Sequence, residues 1–217
     1  MLRVYYKVIL TLMNLLFWSR LAFFVAFFKD TPFDQSFWDW LQFITASVRF
    51  DLMVTGYCLS PFLIFAGPAI FFRKLNYFIP RMLKWNLLTA IILLTAISIL
   101  DMQHFLLFKD RLNSSGLEIL KNFSFSPSWP LFVMGTLFIF FNYSSFKATK
   151  KIHFEYSIHS GMLSWIFLLF LTGIMIRNSF GEHHLDLRHA EVTKSEHLNR
   201  LIIPSAYALD QAIRGRR

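Results

Sequence analysis

Long apolar stretches separated by short polar or charged segments dominate this chain. A helix crosses a bilayer core of about 30 Å with about 20 apolar residues, at about 1.5 Å per residue. Five stretches reach or approach that length: 8–28, 52–72, 86–108, 129–146 and 157–176. The second contains Gly56, Pro61, Gly67 and Pro68, so we expect it to be bent or locally unwound. The pattern predicts an all-α integral membrane bundle of five transmembrane helices.

Two further segments are amphipathic. Residues 36–48 combine aromatic and polar positions, which favours an interfacial helix in the first outer loop. In 196–213, apolar residues recur near helical spacing and are interrupted by Pro204, which predicts a short amphipathic C-terminal helix, suited to the membrane surface or to docking onto another domain. We therefore predict a transmembrane domain over 1–176 and an outward-facing juxtamembrane tail over 177–217.

Composition and charge agree with a membrane protein. The chain is 55% hydrophobic and only 16% charged, against about 25% charged residues in soluble domains. With the N-terminus inside, nine Lys and Arg lie in the inner segments and five in the two outer loops, which predicts N-terminus inside and C-terminus outside. Arg177, Arg188 and Lys194 in the tail weigh the other way. Since much of the +9 net charge flanks apolar spans, we expect no nucleic-acid partner.

Ionisable residues inside or beside the predicted spans are the candidate functional residues. Counted from the inner edge at about 1.5 Å per residue, Arg20 lies about 18 Å up and Asp101 about 22 Å up. An unpaired charge at that depth costs at least about 2.5 kcal/mol, so we expect both to face the bundle interior, where they could pair. Arg49, Asp51 and Arg177 lie at the outer ends of their spans. All five therefore fall in the outer half.

Two interpretations of this outer cluster stay open. Arginines there would suit the phosphate of an anionic lipid headgroup, with Asp51 and Asp101 orienting them. The same residues could instead be interhelical clamps or snorkelling side chains. Cys58 lies within a span and is expected to be inert. The stretch from Glu182 to His189 lacks the spacing of a metal site, and we expect no cofactor in this chain.

Several short motifs stand in or beside the predicted spans and in the tail: Arg49-Phe50-Asp51-Leu52, Asp101, Arg111-Leu112-Asn113, Arg177, Leu198-Asn199-Arg200 and the segment from Pro204 to Leu209. Together they resemble the membrane domain of the lipoteichoic acid synthase family, which includes phosphoglycerol transferases and other sulfatase-like membrane enzymes. The resemblance covers nearly the whole chain. It implies a multi-pass protein of the bacterial cytoplasmic membrane that handles an anionic phospholipid such as phosphatidylglycerol.

The resemblance also implies what this chain lacks. Family members carry an outward-facing catalytic domain after five spans, with a threonine nucleophile and a divalent metal, and no residue here matches either. We therefore expect a membrane-anchor and lipid-presenting domain that is not catalytic alone and is truncated or served by a separate catalytic domain. The alternatives are a small transport or channel subunit, a membrane assembly protein, or the anchor of a phosphoethanolamine transferase.

Overall fold

The computed structural model describes residues 2–26, 36–71, 78–108, 135–136, 140, 158–177 and 190–214. Within these ranges the chain is helical and contains no strand. The helices are α1 (Leu2–Ala26), α2 (Phe37–Phe71), α3 (Ile79–Phe108), α4 (Ile158–Arg177), α5 (Glu196–Ile202) and α6 (Ser205–Ile213). Of the predicted fourth span, 129–146, only 135–136 and 140 are described, as helical positions.

Helix α2 differs from the prediction, because the expected interfacial helix and second span form one continuous helix of 35 residues. At about 1.5 Å per residue it is about 52 Å long. It also stays helical through Pro61, so of the expected bend or local unwinding, the unwinding does not occur there. Pro61 has no N–H for the carbonyl of Tyr57, and the Ser60 hydroxyl donates to that carbonyl instead, at 2.9 Å. The local sequence thus replaces the hydrogen bond that proline removes.

Helices α1, α2 and α3 alternate in direction. Phe24 meets Trp40, with ring centroids 5.9 Å apart, and Arg20 meets Asp51, so α1 and α2 are antiparallel. Near its C-terminal end, α1 also meets the C-terminal end of α3, because the rings of Phe23 and Phe105 lie 6.3 Å apart. Helices α1 and α3 therefore run in the same direction, with α2 opposite to both.

Helix α4 packs closely along α2 through two glycines. A Cβ atom on Gly56 would lie 2.9 Å from Cγ1 of Ile176, and one on Gly67 would lie 2.4 Å from Cζ2 of Trp165. The Trp165 indole N–H also donates to the carbonyl of Leu63, at 2.8 Å. The later residue of α2, Gly67, meets the earlier residue of α4, Trp165, so the two helices are antiparallel. Helix α4 thus runs in the same direction as α1 and α3.

The main core lies among these four helices and is built almost wholly of aliphatic side chains. Its fully enclosed members include Leu12, Leu59, Leu63, Ile79 and Ile91. A buried polar contact crosses it, because the hydroxyls of Tyr5 and Thr172 are hydrogen-bonded and Thr172 also donates to the carbonyl of Leu168. The core therefore joins α1 and α4 by a specific pair as well as by apolar packing.

Among the described residues, three helices are long and apolar enough to cross a membrane: Tyr5–Val25, Phe37–Pro68 and Ile79–Phe105. Gly161–Arg177 in α4 is a shorter apolar helix. Large apolar side chains also cover the outside of the bundle; Leu163 is 70% exposed and Phe170 67% exposed. Soluble monomers rarely expose apolar surface on this scale, so the described helices have the length, composition and exposed apolar surface that a membrane bundle requires.

Candidate functional site at the Arg20 end of the bundle

The most specific polar contact joins α1 to α2. Nη1 of Arg20 donates to Oδ2 of Asp51 at 2.6 Å, and Nη2 donates to Oδ1 at 2.7 Å. This is the two-pronged geometry in which a planar guanidinium matches a carboxylate. The side chains are only 10% and 4% exposed, so the pair is withdrawn from solvent. We call this part of the molecule the Arg20 end.

The same guanidinium also holds the C-terminal segment. Nε of Arg20 donates to the carbonyl of Leu201 at 2.9 Å, and Nη2 donates to that of Ile202 at 3.1 Å. These carbonyls are the last of α5, where a helix leaves its acceptors unsatisfied and a cation is favourable. Four of the five N–H donors of a guanidinium are thus used. Arg20 is a clamp between α1, α2 and α5.

Local sequence explains why α5 presents its end there. The Ser195 hydroxyl caps the helix start by accepting from the N–H of Leu198. The Asn199 side chain folds back on Thr193, accepting from its N–H at 2.9 Å and donating to its carbonyl at 2.8 Å. Pro204 ends the segment and serves as N-cap of α6. The family-like Leu198-Asn199 motif thus has a structural explanation.

Apolar packing seats the C-terminal segment on the bundle. Leu201 packs with Phe23 of α1 and Met102 of α3. Ile202 packs with Phe50 of α2, and α6 lies against α3. The tail was expected either to lie on the membrane or to dock onto another domain; residues 190–214 instead pack on the chain's own helices. We call residues 190–214 the cap.

Helix α3 contributes further buried polar side chains beneath the cap. Asp101 is fully enclosed, and Gln103 and His104 are 2% and 3% exposed. The contact between Phe23 and Phe105 places Asp101 level with Arg20, the height match that the depth count predicts. However, the carboxylate bound to Arg20 is that of Asp51, so the expected pairing of Arg20 with Asp101 is not formed.

The two remaining predicted site residues, Arg49 and Arg177, lie at the accessible edge of the Arg20 end, which we call the rim. Arg49 is partly exposed, and Arg177, the last residue of α4, is exposed. Since Ile176 packs at Gly56, Arg177 lies near the level of Thr55, about 6 Å along α2 from Asp51. The predicted cluster thus divides into a buried part, formed by Arg20, Asp51 and Asp101, and a solvent-accessible part formed by the two arginines.

Some contacts of this site were not predicted from the sequence. Asn199 was named only as part of the Leu198-Asn199-Arg200 motif, although its bonding to Thr193 had a signal of its own, because Ser195 and Thr193 before it are typical helix-start residues. The carbonyls of Leu201 and Ile202 had none, since every residue carries one. In the described ranges no three His, Cys, Asp or Glu side chains gather as a metal site. The stretch from Glu182 to His189 lies outside those ranges.

In comparisons with known proteins, no family model, curated protein or solved structure matches this chain.

Proposed function

We propose that this chain is a membrane anchor that holds its cap in a fixed position at one end of the bundle and presents an anionic phospholipid there. The observation that carries the proposal is the double contact of Arg20, with Asp51 in the bundle and with the last carbonyls of α5. Asp51 belongs to the Arg49-Phe50-Asp51 motif that resembles the lipoteichoic acid synthase family. On this proposal the motif fixes the juxtamembrane segment.

The lipid-binding role falls on the rim. Four of the N–H donors of Arg20 are used within the protein, so Arg20 has little capacity for a phosphate. Arg49 and Arg177 are accessible at the same end, and arginine suits a phosphodiester oxygen pair. We propose that they bind the headgroup of a lipid such as phosphatidylglycerol, while transfer chemistry and its divalent metal belong to a separate catalytic domain.

We propose five spans, with 129–146 as the fourth. Helices α3 and α4 run in the same direction, so the intervening chain must return across the membrane before α4 begins. The 18-residue stretch 129–146 is the apolar segment available for that crossing. With the N-terminus inside a bacterial cytoplasmic membrane, the Arg20 end then faces outward. A channel is less well supported, because the buried polar residues described beyond the Arg20 end, such as Thr55, Thr95 and Thr172, carry no charge.

Lipid binding at the rim is tested by removing both accessible arginines. We expect Arg49→Ala/Arg177→Ala to bind phosphatidylglycerol at least about thirtyfold more weakly, because the variant loses two charge-assisted contacts worth more than about 1 kcal/mol each. Native mass spectrometry of the detergent-solubilised chain measures the binding. Arg214→Ala is the matched control, since Arg214 is exposed and pairs only with its neighbour Asp210. An unchanged affinity in the double variant would refute the lipid role and leave the anchor role intact.

A further inference from the structure

An apolar groove lies between α2 and α3, on the core's far side from the Arg20–Asp51 pair. It has a volume of about 330 Å³, at the small end of the about 300–1,000 Å³ of ligand sites. Its wall is formed by Pro61, Phe62, Phe65, Phe78, Met82 and Trp85. Phe65 and Trp85 are 61% and 60% exposed, so the groove opens sideways to the surroundings of the bundle. That wall suits a single hydrocarbon chain entering from the bilayer.

Two polar side chains of α3 interrupt this wall. Arg81 lines the groove and is exposed, which places a positive charge at its mouth. Asn86 also lines it, and its Oδ1 atom is buried without a hydrogen-bond partner in the described part of the chain. A buried acceptor of this kind is costly unless a donor reaches it. The groove therefore combines an anion contact with a buried site for a donor.

The spacing of these two groups restricts the ligand. Asn86 is five residues beyond Arg81, about 7.5 Å further along α3 and nearer the middle of the candidate span. A phosphate at Arg81 therefore places the glycerol of a phospholipid near Asn86. In a diacyl phospholipid that glycerol carries only ester acceptors, whereas a single-chain phospholipid keeps a free hydroxyl there. The hydroxyl is a donor and can satisfy Oδ1 of Asn86.

We propose that this groove binds a single-chain anionic glycerophospholipid: its acyl chain lies on the aromatic wall, its phosphate contacts Arg81 and its free glycerol hydroxyl donates to Asn86. The site is separate from the rim arginines Arg49 and Arg177. The result of its test therefore does not depend on whether the function proposed above is correct.

The test is binding of lysophosphatidic acid, whose phosphate carries no second glycerol, to the whole chain in a neutral detergent, followed by native mass spectrometry. We expect one bound molecule, held about tenfold more tightly than either diacyl phosphatidic acid or an analogue with the hydroxyl methylated, the preference that one satisfied hydrogen bond gives. Arg81→Gln should weaken binding about tenfold. Lys84→Gln is the matched control, because it removes a charge from the same helix without touching the groove wall.

Asn86→Leu separates the hydroxyl contact from general stability. Since it removes a buried acceptor, it should leave the lipid-free protein at least as stable as the parent while abolishing the preference for the free hydroxyl. Met82→Phe, which fills the groove and keeps both polar groups, should also lower occupancy. Binding of the diacyl or the methylated lipid as tight as that of the single-chain lipid, or equal effects of Arg81→Gln and Lys84→Gln, would overturn the proposal.

Discussion

Arg20 concentrates much of the specific polar bonding that joins the cap to the bundle. Its guanidinium holds a carboxylate 31 positions away and two carbonyls 181 and 182 positions away. Breaking one side of a buried pair costs more than the pair contributes, because the remaining charge stays buried and uncompensated. The contribution of this clamp must therefore be measured with both partners changed.

We expect Arg20→Leu and Asp51→Leu each to lower the free energy of unfolding by about 3–5 kcal/mol. The double variant should lose less than the sum of the two, because it leaves no unpaired charge. Unfolding in mixed micelles, followed by circular dichroism, measures all three. Arg214 and Asp210 provide a matched control: their pair is 2.9 Å long, with side chains 56% and 42% exposed, and its removal should cost at most about 1 kcal/mol. Additive losses at Arg20 and Asp51 would contradict the clamp.

At the residue scale, the sequence was a better guide to which charged side chains are buried than to which of them form an ion pair. Arg20 and Asp101 lie at a similar level along the bundle, as residue counting predicted. Counting gives height along the bilayer normal, though, and not the direction in which a side chain points around its helix. Asp51 was placed at the mouth of a span, whereas α2 begins 14 residues earlier, at Phe37. That extension makes Asp51 a mid-helix residue able to face Arg20.

At the element scale, α2 and α4 are held together by the absence of side chains at two positions. Gly56 and Gly67 are three turns apart and let α4 approach the α2 backbone, as small residues do between membrane helices. Trp165 uses the space at Gly67 and is held there by its hydrogen bond to Leu63. The tryptophan therefore cannot move away without losing a hydrogen bond.

We expect Gly67→Ala to destabilise the bundle by about 1–3 kcal/mol, the usual cost of overpacking. This cost exceeds the stabilisation of about 0.5–1 kcal/mol that alanine gives over glycine within a helix. Gly173→Ala on α4 should be neutral or stabilising, since a Cβ there meets nothing within 4 Å. Thermal unfolding in detergent compares them. Trp165→Ala should cost less in the Gly67→Ala background than in the parent; equal costs would show that the two residues do not collide.

Helix boundaries were predictable where the length of an apolar stretch sets them. They were not predictable where packing against other helices sets them. The predicted 157–176 span agrees closely with α4, Ile158–Arg177. The break at Pro204 between α5 and α6 also follows from the chemistry of proline. Fusion of 36–48 with 52–72 was missed because polar residues between them resemble a loop. In the structure Ser47 and Asp51 in that region are buried, and Asp51 binds Arg20.

At the scale of the whole molecule, helix direction provides a test of topology. Helices α1, α3 and α4 run in one direction and α2 in the other, so five spans require positions 114 and 149 to lie on opposite sides of the membrane. The sequence predicted this count from apolar length. It could not predict that the cap returns to its own bundle, because the bonds that hold it there use backbone carbonyls.

In a Cys58→Ser background, we expect Ser114→Cys to react with an impermeant maleimide from outside intact cells. Thr149→Cys should react only after the membrane is opened. Both positions reacting from the same side would exclude the fourth span and the proposed orientation. Cys58→Ser alone serves as the unlabelled control, because Cys58 is the chain's only cysteine.

The clamp also has a consequence for biosynthesis. Arg20 leaves the ribosome early, in the first helix, and an arginine near the middle of an inserting helix costs about 2.5–3.5 kcal/mol. Asp51 follows within the next helix, so insertion of α1 and α2 as a hairpin would neutralise that charge. The carbonyls of Leu201 and Ile202 are synthesised 181 and 182 residues after Arg20. The Arg20 donors that hold the cap must therefore wait, in lipid or water, until those residues have been translated.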